Sequence, residues 1–282
     1  MSVPASLNVG PNTTLTLVKK RYLIFYVFLI WISIFSIQFE FWLIWKLYEP
    51  KFIHFLFFLP PVILLMYLTS IIVSLIFAKI FLIIVNIFHK PREGVFLRHS
   101  SDKDYRYWSL RSTIKKWPIW ISHKFPFPFM DNICFKMFGV KTKYSNSLFE
   151  GWVDTEFIEF GKNVVIGQGA IVQSATIVGN LFIIRKTTIE DNVVIGIHSF
   201  VMPGTHMKKN SILGGHSLTT VGQVLEENWI YLGAPAKKFK ENVFYDEGLE
   251  EIIKGQFEKK TESQEKFEEL YTMRVDKETK IN

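Results

Sequence analysis

The sequence predicts a membrane α-helical hairpin followed by an all-β left-handed parallel β-helix, a hexapeptide solenoid. Three observations carry this. Two apolar runs each exceed the ~20 residues that cross a bilayer. A six-residue period runs from Ile189 to Leu218. A second run of the same style begins at Phe160. A fixed short period marks a solenoid, in which each repeat buries its apolar face only against its neighbours.

Residues 1–21 are an N-terminal segment ending in Lys19, Lys20 and Arg21. Residues 22–88 are the two-helix hairpin. Tyr22 to Tyr48 is broken chiefly by Gln38, Glu40 and Lys46, and Val62 to Phe88 carries one charged residue, Lys79. Between them lie Glu49, Pro50, Lys51 and an apolar patch from Phe52 to Pro61. The Pro60-Pro61 pair is expected to end or kink any helix there. A cleavable signal peptide fits poorly, because the first run is too long and a second follows. Buried helices of a large soluble domain are the competing reading. Lys90, Arg92 and Arg98 follow the second run, while the connecting loop holds only Lys46 and Lys51. The positive-inside rule then places both termini and the β-helix in the cytoplasm. Glu40 and Lys79 are intramembrane charges and functional candidates by default, unless Glu40 lies at the outer interface.

Residues 89–150 neither span nor repeat. Tyr105, Tyr107, Trp108, Trp117, Trp120, Phe125, Phe127 and Phe129 mix with Arg106, Arg111, Lys115, Lys116 and Lys124. Amphipathic rings beside cations suit a headgroup region, so this segment is expected to be an interfacial collar. Ser109 to Trp117 reads as a short helix that Pro118 ends, and Phe125 to Pro128 as an extended stretch. The collar serves either as a platform for a membrane-near substrate or as a simple anchor under the solenoid.

Residues 151–240 are the β-helix. Ile189, Ile195, Val201, Met207 and Leu213 open successive hexads, and Val193, Ser199, Thr205, Ser211 and Ser217 take the fifth place. Phe160, Ile166, Val172 and Val178 open the earlier hexads. Three hexads make one coil, so residues 18 apart stack on neighbouring coils, roughly 4.8 Å apart. The aliphatic position fills the core and the small one sits by a corner. Gly167, Gly196, Gly204 and Gly214 fall at or near turns. The register slips between Val178 and Ile189, so Gly179 to Lys186 is expected to be an irregular coil or protruding loop. Residues 241–282 form a charged tail in which Leu249, Ile252, Ile253 and Phe257 make one helical stripe.

The single cysteine, Cys134, excludes an intrachain disulfide framework and points to a reducing compartment. Net charge is +7, but many of the cations flank the apolar runs as topology signals. No aromatic motif for RNA is visible, so no nucleic-acid partner is expected.

His198 and His216, also 18 apart, occupy the fourth hexad position on consecutive coils and should stack on one outward edge. They are a base with its support, two ligands of a metal, or two surface histidines in a ladder. No histidine lies between His123 and His198, so an upstream third metal ligand is missing and no metal is assigned. His206, at the sixth position, points elsewhere.

The ending Tyr231-Leu232-Gly233-Ala234-Pro235-Ala236-Lys237 resembles the close of many hexapeptide-repeat enzymes. Those include acyltransferases that use acyl-CoA and metal-dependent carbonic anhydrases, both typically trimeric with sites between subunits. From Leu213 to Ala236 the chain resembles the membrane-associated C-terminal domains of polylysine-type nonribosomal peptide synthetases, and the likeness extends from Phe149 to Lys240. The resemblance implies a membrane-anchored homotrimeric acyltransferase taking acetyl-CoA or another acyl-CoA, with a small-molecule or lipid-linked acceptor. It implies that His198 or His216 acts as base, that Gly214 and Gly215 border the pantetheine arm, and that Lys237 and Lys238 meet the CoA phosphates. One departure matters. Ala175 stands where related acyltransferases carry a histidine, and a methyl group accepts no proton. The alternative is therefore a catalytically degenerate, membrane-anchored trimeric scaffold or binding module.

Overall fold

The structure, a computed structural model, describes residues 18–48, 52–127, 129–148 and 151–242. The helical stripe expected in the tail lies outside these residues.

Helices α1 (Leu23–Tyr48) and α2 (Phe52–Phe88) form an antiparallel pair. At 1.5 Å per residue they run about 39 and 56 Å. Both are long and apolar enough to cross a membrane. One face of α2 buries Met66, Ser70, Ile71, Ser74, Leu75, Ala78, Leu82 and Val85, the spacing of a helical stripe. The far half differs. None of the described side chains at 34–47 and 52–65 is buried. Pro60 and Pro61 lie inside α2, so the pair does not end the helix as expected. The apolar flanks give the backbone no competing partner, and helix formation resumes on both sides.

Residues 89–150 hold more structure than a collar. Strand β1 (Gly94–Leu97) is followed by α3 (Lys103–His123) and α4 (Phe129–Phe138). Asp102 caps α3 by accepting the Tyr105 N–H at 3.0 Å. Pro118 does not stop α3, contrary to expectation. Tertiary contacts hold the helix beyond it. Tyr67 Oη of α2 donates to Ile121 O at 3.0 Å, and Ile119, Ile121 and Ser122 are buried. Earlier on α3, Trp117 Nε1 donates to Ser33 Oγ of α1 at 3.0 Å. Phe125 to Phe127, expected to be extended, instead turns tightly. The Phe125 N–H returns to Ser122 O and the Met130 N–H to Phe127 O. Buried Phe125 anchors this turn.

The rest is a parallel β-helix. Its strands in chain order are β2 (Trp152–Val153), β3 (Ile158–Phe160), β4 (Val165–Ile166), β5 (Ile171–Val172), β6 (Ala175–Val178), β7 (Leu181–Ile184), β8 (Thr187–Ile189) and β9 (Val194–Ile195). Then come β10 (Phe200–Val201), β11 (His206–Met207), β12 (Ile212–Leu213), β13 (Val224–Leu225), β14 (Trp229–Leu232) and β15 (Lys237–Glu241). Three parallel faces stack as β2-β5-β10, β3-β8-β11-β13 and β4-β9-β12-β14, and β15 closes the last as an antiparallel edge. Isolated parallel bridges from Lys141 to Glu159 and from Ser147 to Val165 carry the coil pairing into the 89–150 segment.

Hexad openers Ile189, Ile195, Val201, Met207 and Leu213 are all buried, as are the five small residues in the fifth place. One corner is an asparagine ladder. Asn163, Asn192, Asn210 and Asn228 all take φ between 55° and 59°, and their side-chain amides link at 3.2, 3.1 and 2.8 Å. Asparagine tolerates this left-handed conformation better than most residues. The slip is ordered. β6 and β7 form an antiparallel hairpin around Gly179 and Asn180, and β1 adds a third strand to β7. The hairpin lengthens its coil, so Val165 pairs with Val194 whereas Val194 pairs with Ile212.

Candidate functional site

The outer edge is built by the second corner. Gly169, His198 and His216 all have positive φ there, at 68°, 50° and 56°. Both imidazoles are exposed and stack with centroids 5.4 Å apart and planes at 29°. Among the described residues neither ring has a hydrogen-bond partner. The His198 ring lies over Gly169, where a Cβ would strike it. Beside the corner, glycines let the coils close. A Cβ at Gly196 would collide with Gly215 N, and one at Gly214 with the Leu232 side chain. The Leu232 side chain therefore lies over Gly214, and the Ile197 side chain lies 3.2 Å from where a Cβ at exposed Gly215 would stand, so the approach to His216 is glycine backbone flanked by two exposed apolar side chains. Next to Leu232, Lys237 pairs with it across the β14–β15 edge and is exposed. Lys238 is committed elsewhere, ion-paired with Glu226 and lying 4.4 Å over the Trp229 ring.

His206 is different. Its Nε2 lies 2.6 Å from Glu190 Oε1, and Glu190 Oε2 accepts the Lys209 N–H at 3.0 Å. This histidine has the carboxylate orienter that a general base uses, and the hexad position alone did not single it out. Among the described residues, no group of three or more His, Cys, Asp or Glu side chains is arranged to hold a metal.

A second constellation lies at the base of the hairpin. Arg111, 2% exposed, forks onto Glu156 with Nε–Oε1 2.8 Å and Nη2–Oε2 3.2 Å. One turn along α3, Lys115 Nζ reaches the same Oε1 at 2.7 Å. Burial opposes the charged form of Glu156, yet Lys115 and Arg111 outweigh it and hold the carboxyl at about 2. Burial also pushes the Lys115 ammonium down, with Glu156 working against it. Nearby, Asp154 Oδ2 accepts the N–H groups of Ser174 at 3.0 Å and Ala175 at 3.3 Å. Burial dominates here and raises the Asp154 carboxyl to about 6. Asp154 borders a cavity of about 40 Å³ shared with Trp108, Ser112, Lys116, Trp152 and Ser174. That holds one or a few waters, and Trp152 Nε1 is buried with no partner among the described residues.

Ala175 is buried in a cluster with Tyr105, Trp108, Phe182 and Ile184. Trp108 and Phe182 approach to 4.5 Å between centroids. Aromatic rings of α3 and of the hairpin therefore pack around this position.

No family model matches the chain, and no curated protein matches its sequence. Solved structures similar in fold are hexapeptide-repeat acyltransferases. An N-acyltransferase from Bacillus cereus, crystallised with an amino-dideoxyglucose nucleotide and coenzyme A, matches 36% of this chain at 21% identity with a TM-score of 0.29. The chain spans only 60% of that protein's length. A maltose O-acetyltransferase from Clostridium difficile 630 matches over 45% of this chain and 83% of its own, at 14% identity and a TM-score of 0.35. A galactoside acetyltransferase in complex with coenzyme A matches over 43% and 74%, at 18% identity and a TM-score of 0.32. These likenesses concern the fold alone, so the functional reading rests on the residues.

Proposed function

We infer that the chain is a membrane-anchored hexapeptide-repeat acyltransferase. It moves an acyl group from acetyl-CoA or another acyl-CoA to a small-molecule or lipid-linked acceptor at the cytoplasmic membrane face, and it works as a homotrimer. The observation that carries this is the pair of exposed, stacked imidazoles beside Gly214 and exposed Gly215. A pantetheine arm packs along apolar side chains such as Ile197 and Leu232, and the thioester at its end needs a base. One imidazole takes the proton from the acceptor O–H or N–H. The freed lone pair attacks the thioester carbonyl, and the Gly215 backbone N–H steadies the oxyanion. The C–S bond breaks, and the imidazolium returns its proton to the departing sulfur. Lys237 meets CoA phosphate as a point charge. A neighbouring copy completes the cleft, in keeping with the exposed edge. The likeness of Leu213 to Ala236 to polylysine-type synthetase domains supports an anchored arrangement without naming the acceptor.

The test is calorimetric titration of the detergent-purified chain with acetyl-CoA and longer acyl-CoAs, alongside thioester turnover. His198→Ala and His216→Ala should retain binding and lose about 10²–10⁴-fold in turnover. If His206→Ala alone abolishes turnover, the base is the His206–Glu190 pair instead. Absence of acyl-CoA binding at any chain length overturns the transferase reading.

A second reading has its own observation. The Ala175 position offers no base and is packed by Tyr105, Trp108 and Phe182. A chain that binds acyl-CoA without turnover is then a scaffold or binding module.

A further inference from the structure

A cavity of about 400 Å³ lies where α2 meets the first coils of the solenoid. That volume falls in the range of small-molecule sites, roughly 300–1,000 Å³. Three lysines border it, Lys79 on α2, Lys141 before β2 and Lys186 before β8. Two carboxylates share the wall. Glu156 is already engaged by Arg111 and Lys115. Glu159 alone serves both Lys186, at 2.7 Å, and Lys141. The three lysines therefore carry more positive charge than Glu159 balances, and an anion would relieve it. Asn86 adds a different demand. Its Oδ1 is buried and has no hydrogen-bond partner among the described residues. A carbonyl oxygen needs a donor, which a phosphate does not supply and a hydroxyl does.

Lys79 also donates to Met137 O at 2.6 Å, near the C-terminal end of α4. Capping a helix end is a sufficient structural role for that one bond. It leaves two of the three ammonium N–H groups, the cavity and the Asn86 carbonyl without a role. We propose that this cavity binds the phosphate ester of a polyol, with Lys79, Lys141 and Lys186 on the phosphate and Asn86 on a hydroxyl. A phospholipid headgroup and a free polyol phosphate share this chemistry. The site stands apart from the His198/His216 edge and does not depend on acyl transfer.

The experiment uses the full chain in detergent. Native mass spectrometry follows its retention of phosphatidylglycerol against phosphatidylcholine, and a parallel titration uses soluble glycerol phosphate. Phosphatidylglycerol should be retained over phosphatidylcholine, and Lys186→Gln should weaken it about tenfold. Lys79→Met should do the same, and Lys186→Gln guards against a loosened α4 as the cause. Asn86→Leu should weaken phosphatidylglycerol by removing the hydroxyl acceptor. Lys162→Gln, an exposed charge on the solenoid outside the cavity, should leave retention unchanged. Binding of glycerol phosphate alone, with the same sensitivity to the variants, assigns a soluble source and keeps the site. Equal retention of both lipids with no glycerol phosphate binding sinks the proposal, and so does binding indifferent to Lys79, Lys186 and Asn86.

Discussion

Arg111 and Glu156 show how much one residue pair can decide. A guanidinium 2% exposed is tolerable only because a carboxylate meets it with two hydrogen bonds. Lys115 makes the same carboxylate serve two cations, so α3 is pinned to the first coils of the solenoid. Asp154 has no such partner. Its carboxyl is raised from 3.8 to about 6 by burial, so the folded state holds the proton more tightly than the unfolded chain. The associated stability is full below about 4 and is lost as pH rises through about 6. Asp154→Asn keeps an acceptor for Ser174 and Ala175 and removes that loss. Thermal melts at several pH values should show the variant matching wild type near pH 4, gaining on it as pH rises to about 6, by no more than about 3 kcal/mol, and keeping that advantage unchanged up to pH 8. A constant offset from pH 4 to pH 8 would mean that Asp154 is not the titrating group. Neither acid stood out in the sequence. Arg111 and Glu156 are 45 residues apart, and periodicity relates only residues on stacked coils. The available signal was a Trp-Val-Asp-Thr-Glu run from Trp152, carboxylates in a strand-like stretch, facing Arg111 and Lys115 one helical turn apart.

At the scale of elements, the repeat announced its own geometry. A period of six with aliphatic and small residues in fixed places leaves few folds, and the buried hexad openers follow it. The break in the period was visible too, but not its form. Ala175–Val178 and Leu181–Ile184 pair as a hairpin because Gly179 takes φ 58° at the turn and β1 supplies an outer strand. That strand comes from Gly94–Leu97, and no periodicity links it to the slip. Phe182, fully buried, ties the hairpin to Tyr105 and Trp108 of α3. Phe182→Ala should cost about 3–5 kcal/mol, read as a lower denaturation midpoint with the parallel coils still protected from hydrogen exchange above β8. Full protection of β6 and β7 in the variant would show that Phe182 is not the tie. The prolines teach the complementary point. Pro60, Pro61 and Pro118 all lie inside helices, since each flank offers enough helical bonding and packing to outweigh the lost N–H groups.

For the whole molecule, the hairpin poses the main question. The near half of the pair is covered by α3 and α4, whereas none of the described side chains at 34–47 and 52–65 is buried and most are exposed. An uncovered apolar surface of that extent needs lipid or other chains around it. The proposed arrangement puts the distal loop across the membrane and the solenoid in the cytoplasm. Single cysteines placed at Lys46 and at Lys209, in a chain whose buried Cys134 is replaced, should react with an impermeant maleimide from opposite sides of sealed vesicles. Labelling of both from one side would refute a spanning hairpin.

Chain order and repeat period alone were enough to specify the solenoid, the two apolar helices and the stacking of His198 on His216, because each depends on residues at fixed short separations. Sequence spacing also placed Gly214 beside the corner. Tertiary structure decided the rest. Only folding brought Arg111 to Glu156, sealed Ala175 under Trp108, gave His206 rather than His198 or His216 a carboxylate partner in Glu190, and opened the Lys79–Lys141–Lys186 cavity. Those contacts join helices to coils, and their partners are set by packing between elements, which no local period encodes.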